Sequence, residues 1–171
     1  MNRSALIRVV LPAFALLLNG CMTLPKHTLD VPFRPQPSPN LCGVNCLAMA
    51  LDYFAIPYEF EDLTAKAFVP ALDGSTPELL ADVAEAYGLH AEIKGLDEVA
   101  IKAAIESGLL PILFIPPADG ETIGHFILVT ASAENPRRIQ AHDGKRRHRR
   151  RRLDHDTYVT LLLTNSGKEP R

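Results

Sequence analysis

The apolar residues of this chain change their spacing once, at Ser107-Gly108, and that change constrains the fold more than any other feature. Upstream, Val44, Leu47, Ala48, Leu51 and Phe54 recur three and four apart, which predicts a helix from Cys42 to near Ile56-Pro57. A second short helix is expected from Glu59 to about Phe68. Gly74-Ser75-Thr76-Pro77-Glu78 reads as a third helix start, with Ser75 or Thr76 as N-cap, Pro77 in the first turn and Glu78 as a capping-box acid. Leu79, Leu80, Val83, Ala84 and Tyr87 form its apolar face and Gly88 stops it. A short strand from His90 to Ile93 and a helix from Leu96 to Glu106 complete this half.

Downstream, the runs are continuous and apolar. Leu110 to Ile115, Phe126 to Ala131, Arg138 to Ala141 and Tyr158 to Leu163 read as strands, and Lys145 to Leu153 as a strand or a hairpin arm. Helices first and strands second, without βαβ alternation, predict an α+β domain in which N-terminal helices pack on a mostly antiparallel sheet. With 171 residues, 47% hydrophobic and 22% charged, the chain has room for one globular domain and is too apolar for disorder.

The first residues stand outside that domain. Arg3 and Arg8 precede an apolar run from Val9 to Leu18, too short for a stable transmembrane helix and of the length of an export signal. The run ends in Leu18-Asn19-Gly20-Cys21, which resembles the bacterial lipobox, in which cleavage precedes a cysteine that then carries lipid. The alternative is a plain secretory signal with an incidental cysteine. The expected organisation is a lipoprotein signal peptide over 1–20, a lipidated tether and lead-in loop over 21–40, a catalytic-type domain over 41–165 and a tail over 166–171. Met22 after the cysteine, rather than aspartate, favours an outer-membrane anchor facing the periplasm.

After trimming, 16 basic residues face 20 acidic ones, a net charge of −4. Seven of the bases lie in Lys145 to Arg152, so the remaining body is strongly acidic and carries one very basic strip. An exported chain makes nucleic acid an unexpected partner for that strip. The expected one is the anionic membrane to which Cys21 would tether the domain; a solvated hairpin arm is the alternative. Cys42 and Cys46 are too few for a disulfide framework, and no second pair with metal-ligand spacing accompanies them.

Cys42-Gly43 begins the first predicted helix, where unpaired N–H groups and the helix dipole favour a thiolate. Gly43 would let a substrate backbone approach the sulfur. The competing reading is a small buried residue at a helix start, and Cys46, one turn on, reads as core. A cysteine nucleophile needs a base, and the base an orienting group. Of six histidines, His27 lies in the tether, His142, His148 and His155 lie in or beside the charged C-terminal region, and His90 starts a strand. His125 stands directly after Gly124 at the mouth of the apolar strand Phe126-Ile127-Leu128-Val129. Asp143, in an Asp-Gly turn after the next strand, would lie near it if the two strands are adjacent and antiparallel.

These segments together resemble the papain-like cysteine peptidases that process double-glycine leader peptides of bacteriocins. The resemblance runs from Gln36-Pro37-Ser38-Pro39-Asn40-Leu41-Cys42-Gly43 and Cys46 to Phe54, through Gly74-Ser75-Thr76-Pro77 and Tyr87-Gly88-Leu89, to Ala103–Ile115, Gly124-His125-Phe126 and Asp143. It covers about residues 30–163 and implies a papain-like fold. It also implies Cys42 as nucleophile, His125 as base, Asp143 as orienter and Gln36 as an oxyanion-hole donor. The chain departs from the pattern at Asp143-Gly144, where the family usually has Asp-Pro, and in the basic segment that follows; it has no Walker motif.

The resulting expectation is a lipid-anchored periplasmic cysteine endopeptidase. It is monomeric, acts on a peptide or protein, needs no metal or other cofactor, and prefers small or double-glycine residues before the cleaved bond. A catalytically silent domain that binds a peptide or envelope partner in the same cleft is the alternative, with amidase or transglutaminase chemistry a third.

Overall fold

The computed structural model describes residues 27–117, 123–132, 138–144, 146–153 and 157–165. Four helices, α1 (Cys42–Tyr53), α2 (Phe60–Ala67), α3 (Pro77–Ala86) and α4 (Glu98–Glu106), pack against seven strands. The strands are β1 (His27–Thr28), β2 (His90–Leu96), β3 (Leu110–Ile115), β4 (His125–Ser132), β5 (Arg138–Asp143), β6 (Arg146–Arg152) and β7 (Tyr158–Thr164). They form one sheet in the order β2-β7-β3-β4-β5-β6, with β1 paired to the far end of β4, and every pairing is antiparallel. The α+β expectation holds. One helix, α4, packs apart from the other three.

Both faces of the sheet are covered. Along β4, Phe126 and Leu128 join the core beneath α1, α2 and α3. Ile127 and Val129 join a second core with Ile101 and Ile105 of α4. A strand buried on both faces has no reason to alternate, which is why this segment reads as an unbroken apolar run. Helix α1 has the same character. Eleven of its twelve residues are buried, Asp52 excepted, so it is a central helix rather than an amphipathic one. It ends where Ala55 takes a left-handed φ of 54° and the Ile56 N–H donates to the Leu51 carbonyl.

Local chemistry decides between the readings left open at α3 and the basic segment, and moves the expected start of α4. Thr76 is the N-cap of α3 and accepts from the Leu79 N–H at 3.2 Å, so Glu78 stands one position too early for a capping box and only adds a charge to the first turn. Asp97 caps α4 by accepting from the Ala100 N–H at 2.8 Å, which holds Leu96 in β2 instead of the helix. The basic segment is the edge strand β6, antiparallel to β5. Charge on an edge discourages pairing with another chain.

From His27 onward, the segment read as tether and lead-in loop is docked on the domain. β1 pairs with Ala131 and Ser132, Val31 is fully buried, and the Gln36 N–H donates to the Gly144 carbonyl at 3.2 Å. Asn45 of α1 donates to the Arg34 carbonyl, and the Arg34 guanidinium lies over the rings of Tyr58 and Phe60. His142, grouped by sequence with the charged region, is fully buried. It donates from Nε2 to the Val31 carbonyl at 2.9 Å and meets Phe33 edge-on. The signal peptide, Cys21, Lys145 and the tail lie outside the described residues.

Candidate active site

Three elements converge at one end of the sheet. Residues 39–41 form a single 3₁₀ turn that delivers Cys42 to the first position of α1. His125 is the first residue of β4 and Asp143 the last of β5. Leu128 faces His142 across these strands, so Asp143 lies diagonal to His125. Their side chains meet, with His125 Nε2 2.6 Å from Asp143 Oδ1. That leaves Nδ1 as the imidazole nitrogen toward the Cys42 thiol, with which His125 also hydrogen-bonds.

Burial raises the Cys42 thiol. The hydrogen bond and charge of His125, with the N–H groups of Phe126 and Gly43, outweigh that cost and hold its pKa below the ordinary thiol value. The Phe126 N–H reaches Sγ at 3.5 Å. Hydrogen bonds to Asp143 and then Cys42 raise His125 to about 9 against its burial. The hydrogen bond to His125 lowers Asp143 to about 2, helped by the charges of His125, Arg151 and Arg149 and opposed by burial. Cys46 goes the other way. It is fully enclosed, and burial, with the Cys42 and Asp143 charges behind it, pushes its thiol well up. The two cysteines are thus a thiolate-prone group at a cleft and an inert core residue.

The cleft beside Cys42 has a volume of about 610 Å³. Cys42 and His125 line it together with apolar Phe114, Ile123 and Leu72 and polar Asn40 and Ser75. Gly124 is demanded by close approach. A Cβ there would collide with the Phe114 ring and stand 2.8 Å from the Ile115 carbonyl oxygen. Gly43 is required for packing rather than for substrate: a Cβ would stand 2.9 Å from Ser75 Cβ and Oγ.

Gln36 is placed differently. Its Nε2 donates to the carbonyls of Ser38 and Pro39 at 2.6 and 2.7 Å, so both amide protons are spent within its own loop. It is not among the residues lining the cleft. Sequence reasoning missed two groups at the site. Arg149 and Arg151 donate from Nη1 to Asp143 Oδ2 at 2.9 and 3.1 Å. Their two-residue spacing opposite the Asp143 hairpin was the available signal, obscured because every neighbour is also basic.

The sequence pattern of the peptidase C39 family matches residues 30–166, which take in every one of these positions. The chain belongs to the peptidase C39 family. Solved structures of similar fold include a double glycine motif protease from an AMS/PCAT transporter in complex with the leader peptide. It is 17% identical, with a TM-score of 0.65 over 82% of this chain and 96% of that one. The peptidase domain of Streptococcus ComA, a bifunctional ABC transporter in a quorum-sensing pathway, is 15% identical, with a TM-score of 0.61 over 77% and 96%. The peptidase C39-like domain of a toxin secretion ATP-binding protein from Vibrio parahaemolyticus is 17% identical, with a TM-score of 0.53 over 73% and 97%. At these identities the shared property is the fold, a papain-like C39 fold. No curated protein sequence matches the chain.

Proposed function

We propose that this C39 domain is a cysteine endopeptidase in which Cys42 is the nucleophile, His125 the base and then the acid, and Asp143 the orienter. The observation that carries the reading is the 2.6 Å contact of His125 with Asp143, on an imidazole that also hydrogen-bonds a thiol of lowered pKa at a helix N-terminus. Nδ1 takes the thiol proton, and the thiolate attacks the scissile carbonyl. The Cys42 N–H at the start of α1 would donate to the oxyanion, an interaction worth roughly 2.7–4 kcal/mol of barrier. The imidazolium then protonates the leaving amine, the thioester is left on Cys42, and His125 activates water to release it. Gln36 joins as second donor only after its amide leaves the Ser38 and Pro39 carbonyls.

The substrate class is a peptide, with small residues before the cut as in a double-glycine leader. The leader-peptide complex of the AMS/PCAT transporter protease supports this class. Lipidation of Cys21 and an outer-membrane, periplasm-facing address belong to the same reading, supported by Leu18-Asn19-Gly20-Cys21. So does a membrane contact by the basic strip. The committed Gln36 amide favours one rival, a silent domain that binds a peptide without cutting it.

A peptide vinyl sulfone ending in glycine separates the two. The endopeptidase labels on Cys42 and loses labelling in Cys42→Ala but not in Cys46→Ala. Equal labelling of both cysteines counts against the endopeptidase, and labelling of neither with the peptide still bound supports the silent reading.

A further inference from the structure

We infer that Arg149 and Arg151 are positioning residues that clamp the free oxygen of Asp143 and so set the orientation and working pH window of His125. The inference rests on the endopeptidase reading and goes beyond it by giving the basic strand a part in the chemistry. Asp143 sits at the end of β5, next to Gly144 at a positive φ of 57°, in a turn that does little to hold a carboxylate. One oxygen is taken by His125. The other accepts two guanidinium N–H groups from side chains two apart on β6, hence on one face of it. Arg149 stands opposite Ala141 and Arg151 opposite Ile139, both buried. Their stems therefore lie along apolar strand while their heads reach back to Asp143, the arrangement in which arginine keeps its charge and loses least by ordering. Asp143 itself is only 7% exposed, while the Arg149 and Arg151 side chains are 44% and 30% exposed, so these charge-assisted bonds are screened only from the arginine side.

The electrostatic consequence has a definite sign. Two positive charges behind the carboxylate offset its pull on the imidazolium and draw the thiolate form of Cys42 downward. Among the described residues, the other charged or titratable groups around this cluster are Cys42 and, behind it, Cys46 on α1, Arg146 paired opposite Asp143 on β6, and the buried His142 next to Asp143 on β5, whose ring meets Val31 and Phe33; Gln36 of the adjoining loop is neutral. Loss of both arginines should therefore raise both the acid and the alkaline limb of the activity profile. It should also leave Asp143, and with it the imidazole, free to turn.

The test is the pH dependence of Cys42 inactivation by a peptide vinyl sulfone, with peptide cleavage in parallel, on the full chain in detergent. The acid limb of inactivation follows the thiolate and the alkaline limb follows the imidazolium. Arg149→Gln/Arg151→Gln should move both limbs up by about half a pH unit or more. It should also lower kcat about tenfold with KM unchanged. The single variants should give about half the shift each, which reads out the effect even if the double variant folds poorly. Arg149→Lys/Arg151→Lys should restore the limbs but not the full kcat, because an ammonium keeps the charge and lacks the fork. Arg150→Gln, on the other face of β6, should change neither. Limbs unmoved in the folded single and double variants overturn the inference. A wild-type chain with no limb sensitive to His125→Ala would overturn the endopeptidase reading instead, and the two failures are distinguishable.

Discussion

Helix α1 and strand β6 are the two extremes of this domain, and each contributes to the same few side chains. Helix α1 is buried over eleven of twelve residues and its one charged residue, Asp52, lies in the last turn. Strand β6 carries exposed arginines along the open edge of the sheet. The nucleophile comes from the first and the charges that hold its distant partner from the second. A thiolate needs a rigid, dry helix terminus to be both stabilised and aimed. A carboxylate that only orients an imidazole can be held from the surface by long side chains whose heads stay partly in water. Buried position and exposed charge are thus divided between elements instead of combined in one.

The sharpest way to break this contrast is at the two cysteines of α1. Cys42→Ala should lower peptide cleavage by about a factor of 10⁴ or more with the thermal melt nearly unchanged. Cys46→Ala should keep cleavage and lose about 1 kcal/mol of stability. Similar losses of activity in both would mean that α1 is not divided between chemistry and core.

The next largest effect is on stability. Leu47→Ala, at a fully buried position of α1, should cost about 2–5 kcal/mol in denaturant unfolding. Arg150→Ser on β6 should stay within about 0.5 kcal/mol. Comparable costs would show that the basic strand is as structural as the helix.

Gly124→Ala lies between these regions, at the start of β4. The collision with Phe114 should cost about 1–3 kcal/mol and reduce cleavage, because the residue displaced with it is His125. A variant with full activity and an unchanged melt would contradict the packing described at the mouth of the cleft.

A pH series sharpens the electrostatic side. His125 is held at about 9, against 6.5 without its partners, so its stabilising contribution is complete below 6.5 and is lost as pH rises through 9. Asp143 is lowered from 3.8 to about 2, so its contribution is complete above 3.8 and is lost as pH falls toward 2. Cleavage should accordingly fall on an alkaline limb near 9, and His125→Ala should remove that limb along with the activity.

The smallest effect is at the end of α1. Ala55→Gly should stabilise by about 0.5–1 kcal/mol, since the left-handed φ of 54° penalises a Cβ. A destabilised variant would mean that the Ala55 methyl contributes packing that outweighs its strain.

By itself, the sequence determined which of the described segments become helix and strand, β1 and the boundary between β2 and α4 excepted, because 3.6 and 2.0 residue periods and turn residues are local properties. It also determined Cys42, His125 and Asp143 as candidates, since each stands at the end of a legible element. What it left open depended on neighbours far along the chain. That α4 covers the opposite face of the sheet, and that β1 and Val31 dock on the domain, follow from strand order, which no local period encodes. His142 belongs to the core because Val31 and Phe33 enclose it, not because of the residues beside it in sequence. Glycine at position 43 read as room for a substrate backbone until Ser75 was seen packed against it. The division of the arginines was the least legible of all. In sequence they are one uniform block of like charge, and only the pairing of β6 with β5 sends Arg149 and Arg151 to Asp143 while leaving Arg150 outward.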